Sequence, residues 1–184
     1  MNTSDELHVI FGTGPVGKWT ARELAKLGKQ VRMVNHSGKA ERLPGGIEIV
    51  ASDADDLSKN IELTKGATAV YQCAQPHYSE WIEKFPLLQK AILDAAATND
   101  AKLVVADNLY MYGHFNGSLR EDSPVAPNSR KGRVRAEMAQ AVLNAHAAGR
   151  VRATIGRASD FFGPDDLALS LLPSSLHCRG RLSI

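Results

Sequence analysis

Cysteine is scarce in this sequence: Cys73 and Cys178 are the only two among 184 residues. No Cys-x-x-Cys or Cys/His pairing at metal-ligand spacing exists, and there is no multi-cysteine framework of the kind that staples a small secreted domain. An excess of one charge is also missing, because 22 Lys and Arg stand against 20 Asp and Glu and leave only +2. That is too little to argue for a nucleic-acid or membrane surface on electrostatic grounds, and it favours a small-molecule partner. No apolar run approaches the roughly 18 residues of a membrane span. The opening residues, Met1 to Glu6, are polar and acidic where a secretory leader would be basic and then apolar. A soluble, cytoplasmic chain is expected. Internal repeats and low-complexity linkers are absent as well.

What is present is the composition of an ordinary globular domain, 43% hydrophobic and 23% charged, over a length that one domain commonly fills. Short apolar runs at 7–11, 31–34, 47–50, 67–73, 103–106 and 151–155 alternate with helical patterns. That alternation predicts an α/β fold, a doubly wound parallel sheet with helices on both faces in three α/β/α layers. The first helix is predicted over 15–27, with Val16, Thr20, Leu24 and Leu27 on its buried face. A second is predicted over 86–98, starting at Pro86, whose missing N–H costs little at a helix start. A third spans 130–146, with Val134, Met138, Val142 and Ala145 as its stripe. After Asp166 no acidic residue occurs, so residues 1–166 are expected to form the main domain and 167–184 an atypical tail.

Gly12, Gly14 and Gly17 form Gly-x-Gly-x-x-Gly between the first apolar run and the first helix. Gly12 permits a tight turn, Gly14 lets the backbone approach a pyrophosphate, and Gly17 lets the helix lie close to the strand. The helix N-terminus offers unpaired N–H groups to the anion. Dinucleotide binding is therefore expected, with Thr13, Pro15 and Val16 in the same turn. An acidic side chain at the end of the second strand would bond the ribose hydroxyls of NAD. Asn35 stands there instead, followed by His36, Ser37, Gly38 and Lys39 with Arg32 and Arg42 nearby, a set of donors and cations suited to a 2′-phosphate. NADP is favoured over NAD, against the competing reading of a solvated basic loop. Asp53 is a candidate acceptor for an adenine amino group, with a helix cap as its competing role.

With those residues in view, the chain resembles the NAD-dependent epimerase/dehydratase family, the extended or atypical short-chain dehydrogenase/reductases, over about residues 7–166. The matching motifs are Gly-Thr-Gly-Pro-Val-Gly at 12–17, Ser-Asp-Ala at 52–54, Leu-Tyr-Met-Tyr-Gly at 109–113 and Gly-Arg-Ala-Ser-Asp-Phe-Phe-Gly-Pro at 156–164. The resemblance implies a Rossmann-like NAD(P)-binding domain whose substrate pocket is completed by a smaller C-terminal region. It also implies a loop past the cofactor at Cys73 and Ala74, and a cofactor-facing place for Ala54 beside Asp53. Family members use a Tyr-x-x-x-Lys pair as acid and base, the lysine lowering the phenol pKa. None of the four tyrosines here has a lysine four places on; after Tyr71, Tyr78, Tyr110 and Tyr112 stand Gln75, Ile82, His114 and Asn116. Aligning Glu137 with the family's glutamate puts Ser129 at the tyrosine position and Arg133 at the lysine position, where the arginine could still hold ribose hydroxyls.

The family's carbonyl-binding Ser or Thr position is Asn108, whose amide can still donate. Asn108 and Tyr110 are therefore expected to face substrate at the carboxyl end of a strand; core or turn roles are the alternative for Tyr110 and Tyr112. Cys73 is expected to line the cofactor loop rather than to act as a nucleophile. His36, His77 and His114 lack ligand spacing, so no metal is expected. The expected partners are a dinucleotide and a small-molecule substrate, with a homodimer left open and neither nucleic acid nor membrane anticipated. Three functions stay open: an oxidoreductase or epimerase-like enzyme with an atypical acid/base apparatus, a cofactor-binding sensor or regulator without catalysis, and a truncated product of a longer enzyme.

Overall fold

A computed structural model describes residues 6–159. The tail at 167–184, the end of the fourth motif at 160–164, Cys178 and the boundary at 166 lie outside the described residues. In chain order the elements are β1 (Leu7–Phe11), α1 (Pro15–Lys26), β2 (Gln30–Asn35), β3 (Glu48–Ala51), α2 (Leu57–Leu63), β4 (Ala67–Gln72), α3 (Trp81–Thr98), β5 (Lys102–Asp107), α4 (Arg130–Ala147) and β6 (Ala153–Arg157). Short 3-10 turns at Tyr78–Glu80 and Tyr110–Tyr112 precede α3 and α4. All neighbouring strands pair in parallel, in the order β3-β2-β1-β4-β5-β6. This is the expected doubly wound Rossmann-like sheet.

Alternation along the strands divides the core between the two faces of the sheet. Ile10, Val31 and Met33 meet Ala21 of α1 on one face. Val9, Phe11, Val70, Leu103 and Val105 meet Leu63, Ile92 and Val142 of α2, α3 and α4 on the other. Helix α1 buries Gly17 and Ala21, Leu24 of the expected stripe packs partly buried beside them, and Leu27 is 68% exposed. Small side chains at Gly17 and Ala21 let the helix lie close to the sheet.

Beyond shifts of a single residue at other element ends, three elements depart from the sequence reading. Helix α2 was not anticipated, because seven residues are too few for a clear period; its signal is the Asp56 N-cap, whose carboxylate accepts from Lys59 N at 3.0 Å. Helix α3 begins at Trp81, five residues before Pro86, because Trp81 and Phe85 bury their rings one turn apart against Met138 of α4. That burial outweighs the one main-chain hydrogen bond lost at Pro86. Strand β6 starts at Ala153, while Val151 is buried in the loop before it. No helix among the described residues is long and apolar enough to cross a membrane.

Candidate functional site

The strand order reverses direction between β1 and β4, and the crevice outside their carboxyl ends is where open α/β sheets take ligands. A cleft of about 860 Å³ opens there. Its floor is the glycine turn. Gly12 sits at φ +106, and a Cβ on it would lie 2.6 Å from Ala74 N, so the turn passes directly against the backbone after β4. A Cβ on Gly17 would collide with the Gly12 carbonyl oxygen, so this residue lets α1 start close to β1. Gly14 differs from both, because nothing lies within 4 Å of its would-be Cβ and it faces the cleft. It is also the N-cap of α1, with no side chain capping the helix and Pro15 in the first turn. The open N–H groups and the positive end of the helix dipole form an anion cradle at this point.

At the end of β2, Asn35 is a hub. Its Nδ2 donates to Thr13 Oγ1 at 2.7 Å and to Lys39 O at 2.8 Å, while Oδ1 accepts from Gly38 N at 2.7 Å and Ser37 Oγ at 3.4 Å. Every donor and acceptor of the amide is thus engaged, tying the glycine turn to the loop after β2. His36 Nδ1 meets Asp53 Oδ1 at 2.7 Å across the ends of β2 and β3. Arg32 does not join this cluster. It reaches the opposite way, to Glu48 Oε2 at 2.8 Å and Leu63 O at 2.6 Å, because its position along the strand points it off the cleft.

After β4, Cys73 and Ala74 line the cleft beside Gly12. Burial pushes the Cys73 thiol up to about 12, only partly offset by a hydrogen bond with Thr20, so it is a thiol and not a thiolate nucleophile near neutral pH. Trp81, Phe85 and Leu88 of α3 form an apolar wall, with Trp81 Nε1 donating to Pro76 O at 3.2 Å.

At the end of β5, Asp107 is buried and organises the far side of the cleft. Its Oδ1 accepts from Asn108 N at 2.8 Å, from Arg135 Nε at 3.0 Å and from Arg135 Nη2, and its Oδ2 accepts from Arg157 Nε at 3.3 Å. Asn108 Oδ1 accepts from Tyr110 N at 3.1 Å, which leaves its Nδ2 donor without a protein acceptor among the described residues. Asn108 lines the cleft.

The structure thus gathers Gly12, Thr13, Gly14, Pro15, Val16, Asn35, His36, Asp53, Ala54, Cys73, Ala74 and Asn108 around one cleft. Gly17 lies beneath it as a packing residue, and Ser37 turns back onto Asn35 and Lys39. Tyr110 lines a smaller cavity of about 380 Å³ with His114, Asn128 and Ser129, its ring 5.9 Å from that of Trp81. Tyr112 is buried, its hydroxyl accepting from Arg157 Nη1 at 3.3 Å. Ser129 caps α4, accepting from Gly132 N at 3.0 Å. Arg133 is exposed and lines neither cavity. The cation that α4 places in the cleft is Arg135, because the helix turns residue 135, in line with Met138, Ala139 and Val142, toward the sheet. The signal was legible as a charged residue three and seven places before apolar positions of a buried stripe. Trp81 and Phe85 were missed because α3 was started too late. No group of three His, Cys, Asp or Glu among the described residues is placed to hold a metal.

Comparison with known proteins agrees with this architecture. The profile of the NAD dependent epimerase/dehydratase family matches residues 9–176. No curated protein matches the sequence. Among solved structures, a UDP-glucose 4-epimerase from Brucella ovis in complex with NAD is 19% identical with a TM-score of 0.71, covering 83% of this chain and 51% of that one. A UDP-N-acetylglucosamine 4-epimerase from Methanobrevibacter ruminantium, in complex with UDP-N-acetylmuramic acid, is 20% identical with a TM-score of 0.76, covering 88% and 57%. A dTDP-glucose 4,6-dehydratase from Streptomyces venezuelae, with NAD bound, is 18% identical with a TM-score of 0.76, covering 86% and 57%. The chain spans little more than half the length of each of these proteins. At such identities the likeness speaks for the fold.

Proposed function

The chain belongs to the NAD dependent epimerase/dehydratase family, and from that premise we propose that its cleft binds a nicotinamide dinucleotide, NADP in preference to NAD, with a small-molecule ligand beside it. The observation that carries the reading is Gly14, an uncapped helix N-terminus with open space above its α-carbon at the mouth of the cleft. The dinucleotides bound by the Brucella and Streptomyces proteins support the same use of the crevice. In this reading the pyrophosphate lies on the turn at residues 12–17, the adenine end lies toward Asp53 and Ala54, and the nicotinamide end reaches past Cys73 and Ala74 toward Asn108. The case for NADP rests on an amide at Asn35 in place of a carboxylate, with His36, Ser37 and Lys39 following it. Arg32 contributes nothing there, since Glu48 holds it.

Turnover is proposed to be low for carbonyl reduction and for sugar epimerisation. The residues that sequence alignment sets at the acid and base positions are a helix cap, Ser129, and an exposed cation, Arg133. A positioned general acid contributes about 100- to 10,000-fold, and a capping hydroxyl does not replace it. Asn108 remains as the donor toward a substrate carbonyl, with Tyr110 as the proton source of a second reading, in which its ring swings from the smaller cavity into the cleft.

Titration with NAD and NADP, followed by a screen of aldehydes, ketones and nucleotide sugars for NADPH oxidation, tests both parts. Tighter binding of NAD overturns the cofactor preference. Substantial turnover that is lost in Tyr110→Phe and kept in Ser129→Ala overturns the expectation of low activity.

A further inference from the structure

The far end of the cleft carries a buried charge that the described residues around it do not balance. Arg135 is 3% exposed and Asp107 is 3% exposed, and Arg157 closes on the same carboxylate from the other side. Two guanidiniums on one carboxylate leave a net charge of one positive. The other charged groups lining the cleft do not supply the counter-charge: Glu80 is held by Lys84 at 2.5 Å, and Asp53 and Asp55 follow β3, at the opposite end of the sheet. A desolvated cation of this kind is costly unless an anion joins it, and the same low dielectric makes that anion's attraction strong.

Arg135 also has donors to spare. Nε and Nη2 are spent on Asp107, but among the described residues Nη1 meets only the Met138 sulfur at 3.9 Å. Phe85 lies with its ring centroid 4.4 Å from the guanidinium carbon and Trp81 with its centroid 5.7 Å away, so the planar group is fixed between the carboxylate and an aromatic wall. One row deeper, Gln72 is paired in register with Val105, two residues before Asp107, and so leaves its strand on the same face as that carboxylate. Gln72 is 1% exposed, and neither end of its amide has a partner among the described residues. Arg135 Nη1 is therefore a donor on the cleft wall that no oxygen of the described residues uses, and the buried Gln72 amide lies behind it.

We infer that this end of the cleft is an anion subsite, in which Arg135, held by Asp107, receives a carboxylate or phosphoryl oxygen of the small molecule lying beside the dinucleotide. The inference rests on the reading of the cleft given above. The dinucleotide's own pyrophosphate is not the anion in question, because β5 lies two strands from β1 and about 10 Å separates Asp107 from the glycine turn.

The test is isothermal titration of the full chain, first with NADPH and then, on the saturated protein, with glucose, glucuronate and glucose 6-phosphate. At least one of the two anionic sugars is expected to bind about tenfold or more tighter than glucose. Glucuronate and glucose 6-phosphate separate a carboxylate from a phosphoryl source. Arg135→Gln should erase the preference while Asp107 keeps Arg157 as its partner, and Arg135→Lys should retain part of it. If neither anion binds more tightly than glucose in the unmodified protein, the subsite does not exist, and this arm stands even where Arg135→Gln does not fold. An equal preference in a folded Arg135→Gln variant also overturns it. Failure of NADPH to bind counts against the reading of the cleft instead, and the three sugars compared without the dinucleotide still judge the subsite.

Discussion

Replacing Gly14 with valine separates the ligand-binding role of the glycine turn from its structural one. Gly14 has φ −70 and ψ −178, a conformation open to any residue, and its would-be Cβ meets nothing within 4 Å. The folded chain therefore loses only the advantage glycine holds over branched residues at an uncapped N-cap, about 1 kcal/mol or less. For a domain of this size that lowers the melting temperature by about 2–4 °C. The new methyl groups fill the space above the helix N-terminus, so a pyrophosphate loses one or two backbone N–H contacts, each about 1.5–3 kcal/mol to a charged group. Dinucleotide affinity should fall by about 100-fold. Gly17→Ala is the control, because its methyl group must displace the Gly12 carbonyl oxygen. Overpacking of that kind costs about 1–3 kcal/mol and should appear mainly as lost stability. Melting by circular dichroism and titration with NADP, run on both variants, give the two readouts. If folded Gly14→Val binds NADP within about twofold of the unmodified chain, the turn is only a structural turn and the reasoning fails.

Other consequences can be checked separately. Asn35→Asp should weaken NADP binding by bringing a carboxylate toward the 2′-phosphate and should also lower the melting temperature, since the bonds to Thr13 Oγ1 and Lys39 O lose their donor; titration with both cofactors beside a melting curve reads the two effects. Asp107→Ala leaves two guanidiniums without their shared carboxylate and should cost about 3–5 kcal/mol in urea unfolding, the range for breaking a buried pair. Burial holds the His8 imidazole below its usual range, outweighing the opposing pull of Glu6. The unfolded chain then takes up a proton that the folded chain resists, so stability present above the ordinary histidine pKa should be lost as pH falls through that value toward the lower folded one. The melting temperature should drop more steeply with acidification in the unmodified chain than in His8→Gln, and parallel curves would remove His8 as the cause. Cys73, with its thiol pushed up to about 12, should resist iodoacetamide at pH 8 in the folded chain and react in urea, as peptide mapping by mass spectrometry would show.

The order of strands and helices, the place of the glycine turn and the membership of the family were legible in the sequence because each rests on local signals. Short continuous apolar runs, stripes of period near four and a glycine spacing bounded by both are readable within a dozen residues. The three glycines even announced different tasks, though only packing distances show that Gly12 and Gly17 are held against backbone while Gly14 is open. The charge arrangement of the cleft was decided at longer range. Arg135 stands in register with the apolar stripe of α4 and Arg133 does not, but only the packing of α4 against the sheet shows that the first is buried on Asp107 while the second stays in solvent. Arg32 and Asn35 sit three residues apart on β2, so their side chains leave opposite faces of the strand, one toward Glu48 and the other into the glycine turn. Ser129 could be read as a chemical group until the start of α4 made it a cap. Local pattern determines which elements form; which polar side chain meets which partner depends on how those elements are turned against one another, and that depends on the burial of the whole core.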